Sequence, residues 1–283
     1  MRSTGSWKNR TAVISGGSNG LGRSLALTLA EQGANLVILG RDPERLKAVE
    51  KQALELGASG VSTLSIDLCD GSETEVALGQ NQGESLRDIL AVVGCDLLIN
   101  AVGKSDRGLL GQLSQRDLLE QFELNVLSTH KMTKLCWSAL CAKQGVVVNI
   151  ASLAGIVSGP AMGGYSMAKH ALVGLHRQWR LESESTGVHF LLVCPGPIAR
   201  EDSSHRYEQL TQSRGLDPAT QSPGGGVALS RLDPNDLSRQ ILKAAQERRL
   251  ELVVPSKVRI LAMLAAVWPS LADKIIRKKM KRS

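Results

Sequence analysis

The sequence lacks the features that mark secreted, disulfide-stapled and membrane-spanning proteins. Its five cysteines form no CxxC pair and are odd in number, which favours free thiols in a reducing compartment. The N-terminal segment MRSTGSWKNR is polar and has no apolar core of the kind that signal peptides carry. No apolar run reaches the ~18 residues that cross a bilayer. We therefore expect a cytoplasmic protein.

Spacings that bind metal ions are missing as well. The five histidines, at positions 130, 170, 176, 189 and 205, form no HExxH or similar pair. Cys194 ends an apolar segment and is best explained as a buried strand thiol. The sequence therefore predicts no metal site.

Excess positive charge is absent from the body of the chain, although the formal net charge is +7. Residues 257–283 hold eight Lys or Arg and one Asp, and the rest is balanced at 26 basic and 26 acidic side chains. A nucleic-acid-binding domain is expected to carry its positive charge on its folded surface. This distribution argues against a nucleic-acid partner and assigns the charge to a tail.

Short apolar segments alternate with longer amphipathic ones along most of the chain. Strands are predicted at 11–15, 35–39, 61–66, 95–100, 145–151, 188–194 and 250–254, and helices at 21–32, 43–56, 86–93, 115–142 and 165–183. Strands that are apolar throughout indicate a parallel sheet covered on both faces. Right-handed crossovers then give a doubly wound fold. We expect one Rossmann-type α/β domain over residues 1–283, with seven strands.

Two segments depart from this rhythm. Residues 198–233 are rich in Gly, Pro, Ser and Arg, and so long an irregular segment indicates a substrate lid or a disordered loop. Residues 257–283 form a basic amphipathic segment that Pro269 divides into two short helices. Its apolar residues at helical spacing are Ile260, Leu264, Val267, Trp268, Leu271 and Ile275. Basic residues flank or follow them, namely Lys274, Arg277, Lys278, Lys279, Lys281 and Arg282.

The tail has two interpretations. We expect the apolar face of residues 258–276 to pack on the enzyme beside the substrate pocket. The alternative is weak, reversible attachment of the final basic cluster to a membrane surface, with charges on anionic headgroups. In that case the protein is peripheral at a membrane.

A glycine-rich loop lies between the first predicted strand and helix. It comprises Ser15, Gly16, Gly17, Ser18, Asn19, Gly20, Leu21 and Gly22. Backbone N–H groups and the helix dipole favour an anion at such a helix N-terminus, and glycines let the backbone approach a pyrophosphate. A glycine-rich connection without a ligand is the other reading of the loop. Its position after the first strand favours phosphate binding.

The end of the second strand indicates which dinucleotide is preferred. An acidic residue there would bond the ribose 2′-OH of NAD, whereas an Arg accommodates the 2′-phosphate of NADP. The strand is followed by Gly40, Arg41 and Asp42. A planar guanidinium suits a phosphate, and Asp42 is assigned to capping the next helix. The sequence therefore predicts NADPH rather than NADH.

Tyr165 and Lys169 are four residues apart at the start of a predicted helix, so they share a face. A free Tyr has a pKa of about 10 and is a poor base near neutrality. A neighbouring ammonium favours the phenolate, which suits the pair to acid–base work. Ser152 follows the fifth strand, at the sheet edge where α/β folds bind ligands, and its hydroxyl would hold a substrate oxygen near Tyr165.

The combination of these motifs, in this order, resembles the classical short-chain dehydrogenase/reductase family over roughly residues 10–197. The loop is similar to the family's TGxxxGxG, with Ser15 in place of Thr. The resemblance implies that Tyr165 is the general acid in reduction and that Lys169 lowers its pKa and holds the nicotinamide ribose. It further implies that Ser152 orients the carbonyl and that Asn125 supports a water in a proton relay.

The resemblance also implies further cofactor contacts. Asp67 and Leu68, after the third strand, are implied to contact adenine. Asn100 and Gly103 match the first and last residues of the family's NNAG segment. Pro195, Gly196 and Ile198, after the sixth strand, are implied to contact the cofactor as well. The family often has Thr near the nicotinamide amide where this chain has Arg200. How the carboxamide is held is therefore open.

The function implied is an NADPH-dependent oxidoreductase that moves hydride between the nicotinamide and a carbonyl or secondary alcohol. The small, neutral segment 153–164 and the apolar tail favour an apolar 3-oxoacyl or lipid-like ketone as substrate. The alternative is a catalytically silent NADP-binding regulatory or scaffold protein of the same fold. The resemblance implies a homodimer or homotetramer built on the helices at 115–142 and 165–183.

Overall fold

The computed structural model describes residues 7–70, 85–199, 207–217, 220 and 230–280. Within them, seven parallel strands form one sheet in the order β3-β2-β1-β4-β5-β6-β7. The strands are β1 (Thr11–Ser15), β2 (Asn35–Gly40), β3 (Gly60–Ser65), β4 (Leu97–Asn100), β5 (Val146–Ile150), β6 (His189–Pro195) and β7 (Glu251–Val254). The predicted doubly wound α/β fold is confirmed.

Helices cover both faces of the sheet. In chain order they are α1 (Gly20–Ala30), α2 (Pro43–Glu55), α3 (Leu86–Val93), α4 (Gln115–Phe122), α5 (Ser128–Lys143), α6 (Gly163–Glu182), α7 (Glu208–Ser213), α8 (Pro234–Gln246), α9 (Val258–Val267) and α10 (Pro269–Met280). Ser114 and Asp117 form a capping box at the start of α4. Asp42 accepts a hydrogen bond from the backbone N–H of Arg45 and so caps α2, as predicted.

The sheet separates two apolar cores because successive strand residues point to opposite faces. Ile14 of β1 belongs to the core shared with α1, α2 and α8. Its neighbour Val13 belongs to the core shared with α3 and α5. Burial on both faces explains why the strands are apolar throughout rather than alternating.

The predicted helix over residues 115–142 is not a regular α-helix. A π-helical turn, Glu123–Leu127, lies between α4 and α5. Such turns are rare and occur often at functional sites. This one carries Asn125, whose side chain is buried. Helical periodicity in the sequence does not reveal a single wide turn, so the prediction missed it.

The segment over residues 198–233, expected to be irregular, contains the short helix α7. Among its residues, 200–206, 218–219 and 221–229 lie outside the described residues. Arg200, the departure from the family pattern, is one of these. No helix within the described ranges is both long enough and apolar enough to cross a membrane.

A row of hydrogen-bonded polar side chains runs through the interior from β4 through β5 to α6. Asn100 donates a hydrogen bond to Oδ1 of Asn149 at 2.9 Å, and Nδ2 of Asn149 lies 3.2 Å from Nδ1 of His176. Burial lowers the pKa of His176 to about 3, and Arg180, Arg177 and His189 add to the effect. The interior therefore holds this imidazole in its neutral form.

Acid is expected to destabilise the fold through His176. Between about pH 6.5 and the folded pKa of about 3, the unfolded state binds the proton and the folded state does not. Stability therefore falls with decreasing pH by up to about 1.4 kcal/mol per pH unit. Urea unfolding at several pH values should show this slope, and His176→Gln should reduce it. His170→Gln, at an exposed position, is the control; an unchanged slope in His176→Gln would contradict the assignment.

Candidate active site

A cavity of about 810 Å³ opens at the carboxyl ends of the central strands. It lies where the strand order reverses between β1 and β4, which is where open α/β sheets bind ligands. Its lining includes six residues of the glycine loop together with Arg41, Asp67, Ser152, Tyr165, Lys169, Pro195 and Gly196. One cavity therefore brings together residues that the sequence separates by up to 260 positions, from Gly16 to Ile276.

The glycine loop is shaped by contacts that exclude side chains. A Cβ at Gly22 would overlap the carbonyl oxygen of Gly16, so the first turn of α1 lies directly on the loop. Gly16 itself has a φ of +73°, a conformation that glycine adopts without strain. The side chain of Asn19 accepts a hydrogen bond from the N–H of Gly20 at 2.7 Å. Gly16, Gly20 and Gly22 line the cavity without side chains. Apart from the N–H that Asn19 caps, the backbone at the N-terminus of α1 is therefore open to a phosphate.

The end of β2 leaves no room for an acidic side chain. A Cβ at Gly40 would lie 2.6 Å from Oγ of Ser18, so the loop hydroxyl occupies that space. Arg41 is 69% exposed and lies 3.5 Å from a carboxylate oxygen of Asp67. An exposed pair of this kind contributes little to stability, and it leaves the guanidinium beside the cavity rim.

Tyr165 and Lys169 lie on the cavity side of the first turns of α6. The Lys169 ammonium is 5.8 Å from the centre of the Tyr165 ring and donates a hydrogen bond to the carbonyl oxygen of Ile150 at 3.0 Å. Burial lowers the pKa of Lys169 to about 8. Ser152 lines the same cavity, where its hydroxyl accepts a hydrogen bond from the N–H of Ala154 at 3.1 Å.

Asn125 lies behind Tyr165 and Lys169, and only one of the two polar atoms of its side chain has a hydrogen-bond partner in the described structure. Its Nδ2 donates to the carbonyl oxygen of Gln121 at 3.0 Å, while Oδ1 is buried and has no hydrogen-bond partner in the described structure. A Cβ at Gly103 would lie 2.8 Å from this Oδ1 and 3.2 Å from Nζ of Lys169. The Asn125 oxygen and the Lys169 ammonium therefore converge on the space beside Gly103.

Three of the predicted site residues do not line the cavity themselves, namely Ser15, Asn100 and Asn125. Ser15 and Asn100 end β1 and β4, where their side chains lie 3.4 Å apart in a hydrogen bond. They are buried and support the wall from behind. The other predicted residues line the cavity directly, and they are Gly16, Ser18, Asn19, Gly20, Leu21, Gly22, Arg41, Asp67, Leu68, Gly103, Ser152, Tyr165, Lys169, Pro195, Gly196 and Ile198.

Sequence reasoning missed a polar cluster on the cavity wall. Arg107 is buried, and its guanidinium lies over the ring of Tyr207 at 3.9 Å. The Tyr207 hydroxyl makes a short hydrogen bond with Ser105, and Arg214 pairs with Asp106 at 2.9 Å. These contacts tie α7 to the segment after β4. The rarity of tyrosine was the one signal in the sequence that pointed to this cluster. The chain has two tyrosines, and the structure shows that both line the cavity.

The apolar side of the cavity is closed by the last two helices. Val258, Leu261 and Ile276 line it together with Leu153 and Met162. The tail does pack beside the pocket, as expected, but with a different face from the predicted stripe. Ile260, Val267, Trp268 and Leu271 of that stripe are exposed. Because α9 is apolar on nearly all sides, its spacing alone does not show which side faces inward.

Comparisons with known proteins agree with this arrangement. The family model described as short chain dehydrogenase matches residues 10–210. "Dehydrogenase/reductase SDR family member 7" of Mus musculus is 31% identical over 207 residues, which are 71% of this chain and 59% of that protein. The match thus spans less than two thirds of that relative's own length.

Two further relatives extend the comparison. A 3-oxoacyl-(acyl-carrier-protein) reductase of Staphylococcus epidermidis is 26% identical over 68% of this chain and 77% of that protein. The solved structure of an alcohol dehydrogenase from Thermococcus sibiricus, complexed with 5-hydroxy-NADP, covers 86% of this chain and 95% of its own at a TM-score of 0.67. At 23% identity this likeness shows the fold.

Proposed function

We propose that this chain, which belongs to the short-chain dehydrogenase family, is an oxidoreductase that transfers hydride between NADPH and an apolar ketone or the corresponding secondary alcohol. The observation that carries the proposal is the convergence of Tyr165, Lys169 and the glycine loop on one cavity. The bound dinucleotide supplies the hydride, and the chain supplies position and the proton.

The residues present fit a dinucleotide. The bare backbone at the N-terminus of α1 suits a pyrophosphate. The unpartnered Oδ1 of Asn125 and the ammonium of Lys169 face one small space, where a water molecule would satisfy the amide oxygen. Asp67, Leu68, Gly103, Pro195, Gly196 and Ile198 complete the proposed binding surface. Ser15 and Asn100, which are hydrogen-bonded to each other, support it from behind.

We assign the proton transfer to Tyr165. Its hydroxyl donates the proton to the carbonyl oxygen during reduction, while Ser152 donates a hydrogen bond that orients the same oxygen. The Lys169 cation favours the phenolate that remains. Asn125 would hold the water that passes a solvent proton by way of Lys169 to the Tyr165 phenolate, which restores the hydroxyl. A catalytically silent binding protein has no need of this set, and all four residues are retained in the described structure.

NADPH is expected to bind more tightly than NADH, since Gly40 offers no carboxylate and Arg41 lies at the cavity rim. A hydrogen bond to a charged group contributes about 1.5–3 kcal/mol, and the exposure of Arg41 favours the lower value. Arg41→Ala should therefore weaken NADPH binding about tenfold and leave NADH unchanged. Dissociation constants for both cofactors are the measurement.

The matched control for this cofactor test is Arg45→Ala. Arg45 is exposed and pairs with Asp42 at 3.1 Å, on the helix that follows Arg41. It should leave both dissociation constants unchanged. Equal or tighter binding of NADH by the unaltered protein would contradict the assignment of Arg41.

An apolar substrate is supported by the apolar side chains in the lining of the cavity. Leu153, Met162, Val258, Leu261 and Ile276 contribute carbon atoms there, and burial of apolar area drives such binding. The name of the Staphylococcus epidermidis relative, a 3-oxoacyl reductase, points in the same direction. We propose a 3-oxoacyl or lipid-like ketone.

The function is tested by NADPH consumption with a series of 3-oxo esters of increasing chain length. We expect kcat/KM to rise with chain length until the apolar end of the cavity is filled. Each additional buried methylene contributes about 0.8 kcal/mol. Binding of NADPH without turnover of any carbonyl compound would instead support the silent binding protein.

We further propose a homodimer or homotetramer built on α4, α5 and α6. Leu119, Leu127, Met167 and Leu181 on or between these helices are exposed apolar side chains, and association would cover them. Sedimentation equilibrium of the full chain tests this proposal, and a monomer at micromolar concentration would contradict it.

A further inference from the structure

The outward side of α9 is an apolar ridge. Ile260, Met263 and Val267 are 71%, 69% and 84% exposed. Their spacing of three and four residues places them on one face of the helix. A folded domain seldom exposes large apolar side chains in a contiguous row unless the row meets a partner.

The ridge continues around the corner between the last two helices. Trp268 is 62% exposed and Leu271 is 39% exposed. An indole ring with a large apolar body and one N–H donor suits the boundary between an apolar phase and water. We call Ile260, Met263, Val267, Trp268 and Leu271 the apolar ridge.

Basic side chains follow the ridge along α10. Lys274, Arg277 and Lys278 are exposed. In the part of the chain that the structure describes, no carboxylate lies within ion-pair distance of any of the three. Lys274 and Lys278 share a helix face with Leu271 because they follow it by three and seven residues. The basic group therefore begins where the apolar ridge ends.

Both helices are held to the domain by their other sides. Ala272 of α10 is buried, and Val258, Leu261 and Ile276 line the cavity. The residues of the ridge are consequently distinct from those that pack these helices on the domain. It is a second apolar face on helices whose first face is already packed.

We infer that the apolar ridge and the basic residues Lys274, Arg277 and Lys278 bind the surface of an anionic lipid bilayer. The apolar side chains enter the interface, and the cations contact the headgroups. A second copy of this chain fits less well, since pairing two such faces brings like charges together. This inference concerns the outer surface and does not depend on the proposed reaction.

Sedimentation with vesicles tests the inference on the full chain. We expect binding to vesicles of phosphatidylcholine mixed with phosphatidylserine, much weaker binding to phosphatidylcholine alone, and loss of binding at high salt. The triple variant Lys274→Glu, Arg277→Glu, Lys278→Glu should lower the partition coefficient at least a hundredfold, because each basic residue near such a surface contributes about fivefold. The triple variant Ile260→Ser, Met263→Ser, Val267→Ser should also weaken binding strongly.

A matched variant controls for net charge. Lys51→Glu, Arg87→Glu, Lys243→Glu makes the same change at exposed positions on α2, α3 and α8, and it should retain most of the binding. Trp268 supplies a second readout, since its fluorescence should shift to the blue with anionic vesicles and the shift should be absent from Trp268→Phe.

Three results would overturn the inference. The first is absence of binding to anionic vesicles at low salt, and the second is an equal loss of binding in the control triple variant. The third is a change of oligomeric state in the serine variant without a change in vesicle binding, which would assign the ridge to a second copy of the chain.

Discussion

Tyr165→Phe is expected to lower kcat for ketone reduction by at least about 10²–10⁴-fold, because a positioned acid contributes that much to the rate. The ring and its packing remain, so the cavity keeps its shape. Only the hydroxyl that would reach the substrate oxygen is removed. The NADPH dissociation constant should therefore change little. Stopped-time assays of turnover, together with cofactor titration, measure both quantities.

Tyr207→Phe is the matched control for this prediction. Tyr207 lines the same cavity, and its hydroxyl makes a hydrogen bond with Ser105 in the segment after β4. Its loss should affect KM more than kcat. A Tyr165 variant that turns over at nearly the original rate would refute the assigned proton transfer.

Lys169→Met is expected to damage function and to stabilise the free protein. The ammonium is assigned both to the nicotinamide ribose and to the phenolate, so NADPH affinity and kcat should both fall, kcat by about 10² or more. Burial lowers the pKa of this lysine to about 8, which means that the folded protein holds its charge at a cost. Methionine of similar length removes that cost.

The pH dependence of the stabilisation is specific. Below pH 8, Lys169 is protonated in both the folded and unfolded states and the cost is present in full, at most about 3 kcal/mol. As pH rises from about 8 to the unfolded pKa of about 10.4, the folded protein releases the proton first and the cost disappears. The gain in free energy of unfolding for Lys169→Met should therefore be larger at pH 7 than at pH 10.

Urea unfolding without cofactor at the two pH values is the measurement, and Lys51→Met at an exposed site is the control. A variant that is less stable than the original protein at pH 7 would show that the hydrogen bond to Ile150 outweighs the cost of burying the charge.

The parallel sheet was predictable from the sequence because it depends on local signals that recur along the chain. Apolar segments of strand length alternate with helices that are capped by residues such as Asp42 or Ser114 and end near glycines. The glycine loop was equally predictable, because its conformation requires residues without side chains and these residues are close together in the sequence. The same holds for Tyr165 and Lys169, which one turn of helix brings together.

Other features depended on contacts between distant segments. The π-helical turn that buries Asn125, the approach of its Oδ1 to Lys169 across Gly103, and the stack of Arg107 on Tyr207 join residues with no spacing rule between them. The side of α9 that packs inward was not predictable either. This helix is apolar on nearly every side, so its sequence does not show which side faces the cavity.

What the sequence by itself determined is the class of fold, the order of its strands in the chain and those cavity residues that belong to local motifs, namely the glycine loop and the pair Tyr165 and Lys169. The tertiary structure alone decided which of these residues line the cavity and which support it from behind. It also decided that Ile260 and Trp268 face outward while Leu261 faces the cavity. The physical reason is that periodicity reports the relative angle of side chains around one element, whereas burial depends on what packs against that element.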